Sequence, residues 1–423
     1  MLVTKLNEVR PMRSSLALLL ICASVFSGAA QASEKLNLNE ALRLTLENNP
    51  QLYQFKFTEA ILKAQRKTSS LAPSLRLGAE LENVAGSGQT QGIDAAESTV
   101  ALSSVIELGN KRQARMSLAD SRLDQYTWER QAASLDVLGK LTTMFIEGLL
   151  TQANIDLAQE SLALSQSLLK TVKSKAAKGA TSEAEVMRAR ASLVRAEIRL
   201  TSQLNQFERQ KVMLAQFWGV AEPTFKRLDG DLYEYERTES FERLFERVKS
   251  SPSMQVFASD TRVKESNIAL ARSKGRSDIN WQVGVRRFEE SSDTAFVVGF
   301  SVPLFAGKRN QGELDAALAA RDSAMSASKF ASLRLRGELF QAYSLRNQSI
   351  EAVQKIKDTA IPALTDALEL TRRAYENGRY RYVELVAAQQ ELLATKQALI
   401  DTASTALISQ ALIEKLTGQA LNQ

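Results

Sequence analysis

The chain has 423 residues, room for two or three domains, with 54 Lys and Arg against 48 Asp and Glu, no histidine and one cysteine. Without histidine, Ser–His–Asp and Cys–His catalysis, histidine general bases and His-ligated zinc are excluded, and one cysteine makes neither an internal disulfide nor a thiolate cluster. Aromatic residues are only 6% while Ala, Leu, Gln, Glu, Arg and Ser crowd the chain, a composition of long helices rather than a sandwich.

Lys5, Arg10 and Arg13 open the chain, an apolar run from Leu16 to Val25 follows, and Ala30-Gln31-Ala32 supplies small residues for cleavage. This order predicts a secretory signal peptide over residues 1–32. The run is far shorter than the ~20 residues a membrane-spanning helix needs. A lipoprotein signal would place a small residue where Ile21 precedes Cys22. Cleavage removes Lys5, Arg10, Arg13 and Glu8 from a chain of net charge +6, leaving 391 residues, a charge of +4 and no cysteine. So small and dispersed a surplus does not suggest a nucleic-acid partner.

The mature chain repeats itself. Asn49-Pro50 returns as Ser251-Pro252, and Gly109 with Lys111-Arg112 as Gly307-Lys308-Arg309. Lys178-Gly179 returns as Asn377-Gly378, and Trp218-Gly219 as Thr417-Gly418. The seven-residue series Val186, Leu193, Leu200, Phe207, Leu214 is echoed by Leu385, Leu392, Leu399, Ala406, Ile413. Landmarks of different kinds at nearly one offset indicate a tandem duplication: a first repeat over 33–222, a linker over 223–238 and a second repeat over 239–423. Each repeat reads as a short helix, a helix of some 20 residues, a strand pair and a long helical hairpin (110–218 and 308–417). With no proline between Pro73 and Pro223, residues 111–178 predict one helix of about 100 Å. Helices 51–70 and 182–218, stacked end to end, nearly match it. The heptads predict coiled-coil packing, and Pro362 predicts a kink or break in the second long helix.

The strand pairs fall at about 74–107 and 278–305. Leu75, Leu77, Ala79 and Leu81 alternate with Arg76, Gly78, Glu80 and Glu82; Phe296, Val298 and Phe300 alternate with Val297, Gly299 and Ser301. Such segments suit tilted membrane strands of ~9–11 residues, and equally a half-buried soluble sheet. Four strands cannot close a barrel alone, and open edges are not tolerated in lipid. A membrane reading therefore requires several chains, of which three would give twelve strands and a lumen.

Several motifs resemble the TolC-like outer-membrane efflux family over essentially the whole mature length, and most of all its CzcC-type heavy-metal branch. They are Leu81-Glu82-Asn83, Ile106-Glu107-Leu108-Gly109-Asn110-Lys111-Arg112, Val302-Pro303-Leu304-Phe305 and, most specific, Arg309-Asn310-Gln311-Gly312-Glu313. The turns Ala177–Ser182 and Tyr375–Tyr380 look like that family's periplasmic hairpins. Asn110 departs from the pattern, which commonly has a second glycine there.

The resemblance implies a mainly α chain whose long antiparallel hairpins form an α-barrel tunnel across the periplasm. Four strands per chain would join a twelve-stranded, trimeric outer-membrane β-barrel. It also implies an RND-type, proton-driven inner-membrane pump and a periplasmic adaptor as partners, with no cofactor and no enzymatic activity. By that analogy Gly179, Ser182, Gly378, Arg379 and Tyr380 are candidates for the turns that meet the adaptor. Arg188, Arg372, Arg373, Arg379 and Tyr382 are candidates for holding a closed gate, and Asp366, Glu369 and Glu376 for an acidic constriction. A solvated helix face accounts for these side chains as well. Lys111-Arg112 and Lys308-Arg309 are expected to anchor the membrane boundary.

Three other readings stay open: a multidrug or type I secretion conduit, a soluble periplasmic coiled-coil scaffold, and a hydrolase built on Asp and Glu pairs. The last lacks a strand-end nucleophile, phosphate loop or metal-ligand spacing. A wall without imidazole or thiolate leaves carboxylates, carbonyls and scattered methionine thioethers as ligands. The purified mature protein is therefore expected to show no zinc or copper site of micromolar or tighter affinity in equilibrium dialysis.

Overall fold

A computed structural model describes residues 34–235 and 239–418, so the predicted signal peptide and Cys22 lie outside the described residues. The first half runs β1 (Lys35–Asn37), α1 (Leu38–Asn48), α2 (Pro50–Ser69), β2 (Arg76–Glu82), β3 (Glu97–Ile106), α3 (Lys111–Ala177) and α4 (Glu183–Ala215). After β4 (Arg227–Asp229) the second half runs α5 (Phe241–Ser250), α6 (Pro252–Lys274), β5 (Ile279–Phe288), β6 (Thr294–Ser301), α7 (Ala306–Arg309), α8 (Gln311–Lys355), α9 (Ile361–Glu376) and α10 (Tyr382–Thr417).

The landmark Asn49-Pro50 is a helix boundary. The Asn49 carboxamide oxygen accepts the N–H groups of Gln51 and Leu52 at 2.9 and 3.0 Å, and Pro50 takes the first helical position, where an N–H would have no partner. Pro252 opens α6 in the same way.

Helix α3 is continuous over 67 residues, about 100 Å at ~1.5 Å per residue. Helix α4 returns along its lower part and ends in a tight turn at Gly219 (φ 75°), whose Val220 N–H reaches the Ala215 carbonyl at 3.1 Å. Here α4 meets α2: Asn49 donates to the Phe217 carbonyl at 2.7 Å, and a Cβ on Gly219 would lie 3.7 Å from Pro50. Gly418 at the end of α10 faces Pro252 of α6 in the same relation, a Cβ there lying 3.2 Å away. Two shorter helices laid end to end thus keep pace with each long one. The heptads pack as expected: Val186, Phe207, Leu214, Leu385, Leu392, Ala406 and Ile413 are all buried.

One expectation is sharpened and one needs correction. The interruption expected at Pro362 takes the form of a single π turn at Ile356–Ala360, which joins α8 to α9 in place of a full break. The extra residue re-registers the hydrogen-bond ladder where proline lacks an N–H and its ring excludes a preceding carbonyl. The described part of the expected linker, residues 223–235, is more than a linker. Its strand β4 pairs in parallel with β1, and Leu36 and Leu228 enter the main core beside Phe145, Leu149 and Trp218.

The larger sheet has the order β2-β3-β5-β6, antiparallel throughout, so the halves join through β3 and β5. Its register aligns Leu77, Leu102, Val283 and Val298 in one row and Ala79, Val100, Val285 and Phe296 in the next. The opposite face carries Gly78, Ala101, Gly284 and Val297, then Glu80, Thr99, Arg286 and Ala295. One face is apolar, the other small and polar.

Between sheet and helix, Gly109 (φ 74°) and Asn110 (φ 60°) are both left-handed. A Cβ on Gly109 would lie 2.7 Å from the Arg276 side chain and 3.1 Å from the Ser273 carbonyl, whereas one on Gly179 (φ 73°) would meet open space. Gly109→Ala is therefore expected to lose about 2–4 kcal/mol and Gly179→Ala only about 1, in thermal unfolding of the detergent-solubilised protein.

Candidate conduit surfaces and hairpin tips

The polar face of the sheet has its own charge network. Arg286 makes ion pairs with Glu82 and Glu97, each at 2.8 Å, and donates to the Thr99 hydroxyl at 2.9 Å. Asn83 donates to the other Glu97 oxygen at 3.0 Å. Three strands are thereby tied together on the polar side, while Leu77, Phe296 and Phe300 stand 77–85% exposed on the apolar side. Sequence reading singled out the strands but not this network, whose members lie about 190 residues apart and meet only through the β3–β5 register.

The family-motif residues assemble the joint beneath the sheet. Lys111 is buried, pairs with Asp278 at 2.7 Å and donates to the Arg276 carbonyl at 2.7 Å. Arg112 reaches the Ser70 carbonyl at 2.5 Å, and Arg115 forks onto Glu107. In the second half Asn310 donates to the Ala271 carbonyl at 2.6 Å, Glu313 pairs with Lys274 at 2.5 Å, and the Pro303 carbonyl accepts from Ser277 at 2.6 Å. Gln311 donates to Asp315 at 3.0 Å within its own helix, and Gly312 faces open space. Lys308 and Arg309 are exposed. Lys111 is therefore no membrane-boundary anchor; a cation this enclosed requires its partner and serves the joint.

At the far end, the two hairpin turns share one geometry. The Ala180 N–H reaches the Lys175 carbonyl and the Gly179 N–H the Ala176 carbonyl, both at 2.9 Å. In the second hairpin Arg379 N–H to Ala374 carbonyl (2.9 Å) and Gly378 N–H to Tyr375 carbonyl (3.0 Å) repeat the pattern. Both are Schellman closures, which require a positive φ at the glycine. Ser182 stands before α4 in extended conformation without a side-chain cap bond, while Arg379 and Tyr380 project into solvent.

The gate candidates divide. Asp366, Arg372, Glu376 and Arg188 are exposed, and Glu369 is joined to Arg373 one turn along the same helix. That ion pair compensates one member of the suggested acidic set. Tyr382 is not a surface polar contact at all. With 7% exposure it packs with Tyr375 (3%), Val172, Val186 and Leu385 in a cluster that joins the hairpins. Sequence reading took Tyr375 only as the start of the turn and not as a core residue, though it precedes Tyr382 by one heptad across the turn. Lys175 crosses from the first hairpin to the second, donating to the Tyr375 carbonyl at 2.5 Å and lying 4.6 Å from its ring centroid. Burial pushes both phenols above their ordinary range. Among the described residues, no group of three or more His, Cys, Asp or Glu could hold a metal ion, and no helix is long and apolar enough to cross a membrane.

A family model described as outer membrane efflux protein matches residues 41–220 and 246–419. The chain is 23% identical over 322 residues to the cobalt-zinc-cadmium resistance protein CzcC of Cupriavidus metallidurans, covering 76% of this chain and 77% of that one. Among solved structures it is similar to CusC, described in connection with transmembrane channel formation (TM-score 0.76, 16% identity, 93% and 95% covered). It is also similar to the outer membrane protein VceC of Vibrio cholerae (TM-score 0.73, 18% identity, 90% and 96% covered).

The tip tyrosines carry a pH dependence. Because the folded state binds their protons more tightly than the unfolded chain, their stabilising effect is complete below pH 10 and is lost as pH rises through the folded pKa values. Ultraviolet titration of Tyr375→Phe/Tyr382→Phe against the parent is expected to lose a late-titrating tyrosinate component; an unchanged curve would contradict the buried tip.

Proposed function

For a chain that belongs to the outer membrane efflux protein family, we propose the role of outer-membrane channel in a three-part export assembly that carries heavy-metal cations. An inner-membrane RND-type pump supplies the energy, and a periplasmic adaptor joins it to this channel, which conducts passively. The observation that carries the reading is the four-stranded sheet, apolar on one face, polar on the other and open at both edges, set on helices of about 100 Å.

In lipid the free edges of β2 and β6 must pair, and the partners that suit them are β6 and β2 of further copies. Three copies give twelve strands and a lumen lined by the polar face, whereas eight strands would fill their own interior. Trimerisation is also supported by apolar ridges that stand exposed among the described residues: Tyr53, Phe57 and Ile61 on α2, and Phe330, Leu333 and Phe340 on α8. The apolar sheet face then meets outer-membrane lipid.

The exposed turns at Gly179–Ser182 and Gly378–Tyr380 are the adaptor contacts in this reading. The buried Tyr375–Tyr382 cluster holds the second hairpin against the first, so opening the gate means loosening that cluster. Asp366 and Glu376, repeated around the axis, would favour cations at the entrance. Heavy-metal cargo is supported by the likeness to CzcC.

Deletion of the gene is expected to reduce tolerance to cobalt, zinc or cadmium and to leave dye and antibiotic sensitivity unchanged. The reverse pattern would replace this reading with a multidrug conduit, and recovery of the mature protein in a detergent-free osmotic-shock fraction would remove the channel altogether.

A further inference from the structure

A groove of about 520 Å³ lies in the helical wall, with its floor on α3 and its sides on α4 and α10. That volume is within the ~300–1,000 Å³ of small-molecule sites. Small residues, Ala158, Ser161 and Ser165, make the floor and leave the room. On one side stand Arg195 and Arg199, one helical turn apart. Like charges at that spacing weaken a helix rather than support it. Arg199 reaches across the groove to the Gln397 carboxamide oxygen at 2.9 Å. Among the described residues neither arginine forms an ion pair, and the groove lining contains no carboxylate. The nearby Glu160 is already taken by Lys396, at 2.6 and 2.8 Å.

A second observation points the same way. Gln389 is only 8% exposed and Ser165 only 3%, both line the groove, and the side chain of neither hydrogen-bonds any described residue. Their polar ends open onto the groove, where water or a ligand can meet them. Water would satisfy an amide and a hydroxyl. Arg195 and Arg199 are exposed at the rim of the groove, so water solvates them while the groove is empty and an arriving anion meets two cations with no carboxylate already paired to them. The charged groups at the site are both donors, two guanidinium forks, and the carboxamide of Gln389 and the hydroxyl of Ser165 can add further donors.

We propose that this groove binds a small multivalent oxyanion, its carboxylate or phosphate oxygens held by Arg195 and Arg199 and by Gln389 and Ser165. Guanidinium forks match the planar geometry of such oxygens two at a time, which an ammonium group cannot do. The proposal stands apart from the cargo of the channel, since it needs neither metal nor pump. It adds to the wall a position where an anion bridges α4 to α10 across α3, and so fastens the two hairpins together above the tyrosine cluster.

Isothermal titration of the full chain, purified in detergent at low ionic strength, tests this with citrate and with inorganic phosphate as separate probes. Saturable binding of at least one anion is expected, weakened at least about tenfold in Arg195→Gln/Arg199→Gln and in Gln389→Leu. Should the double variant fail to assemble by size exclusion, Gln389→Leu alone carries the comparison, because it keeps the volume and removes the donors. No saturable heat from either anion, or equal affinity in the variants, would mean that the groove holds water only and would overturn the proposal.

Discussion

Backbone N–H and C=O groups cannot be left unpaired in lipid, and that constraint organises this molecule. A sheet of four strands satisfies its inner ladders and leaves a row of polar groups along β2 and another along β6. Each unpaired group in hydrocarbon costs several kcal/mol, so the single chain is incomplete at its membrane end. The faces of the sheet say the same. Phe296 and Phe300 stand almost fully exposed on one side, while Arg286, Glu82 and Glu97 neutralise one another on the other. An outer-membrane efflux channel needs this division, with lipid outside and water inside.

The helical part solves a different problem, that of length. A helix of 67 residues has no fold-back to bury it and must find neighbours along its whole course. The duplication supplies them in segments: α4 below and α2 above, with α6 and α10 from the other half. Gly219 and Gly418 turn the chain at the two seams, where Pro50 and Pro252 begin the next segment. The main core gathers beside the first seam, with Trp218, Phe225, Leu36 and Leu228 around α3. The small β1–β4 pair belongs to this belt and ties the start of the described chain to the join between repeats.

Much of this was legible in sequence because it rests on local rules. Heptads report coiled-coil faces, alternation reports sheet faces, and glycine after Lys178 or Asn377 reports a left-handed helix end. The failures share a cause. Lys111 reads as a boundary cation, yet Asp278, distant in sequence, encloses it. Tyr382 reads as a polar gate residue, yet α3 and α4 bury it. Pro362 reads as a kink or break, and the form it takes, one extra residue in the ladder, is not legible in sequence. Each depends on which distant segment arrives beside the residue, or on how the backbone relaxes around it.

Sequence by itself determined the length of the rods, the period of their faces, the places where they turn and the absence of imidazole from the wall. These follow from residue type and spacing along one chain, which hydrophobic periodicity and backbone sterics convert into structure without reference to distant residues. Only the tertiary structure decided which carboxylates are already compensated, which tyrosines close the tip, and that Arg195 and Arg199 stand without a carboxylate partner beside a groove lined by Gln389 and Ser165. Electrostatics and burial depend on three-dimensional proximity. The same arginine is a solvated surface charge or a ligand site according to what α3 and α10 place in front of it.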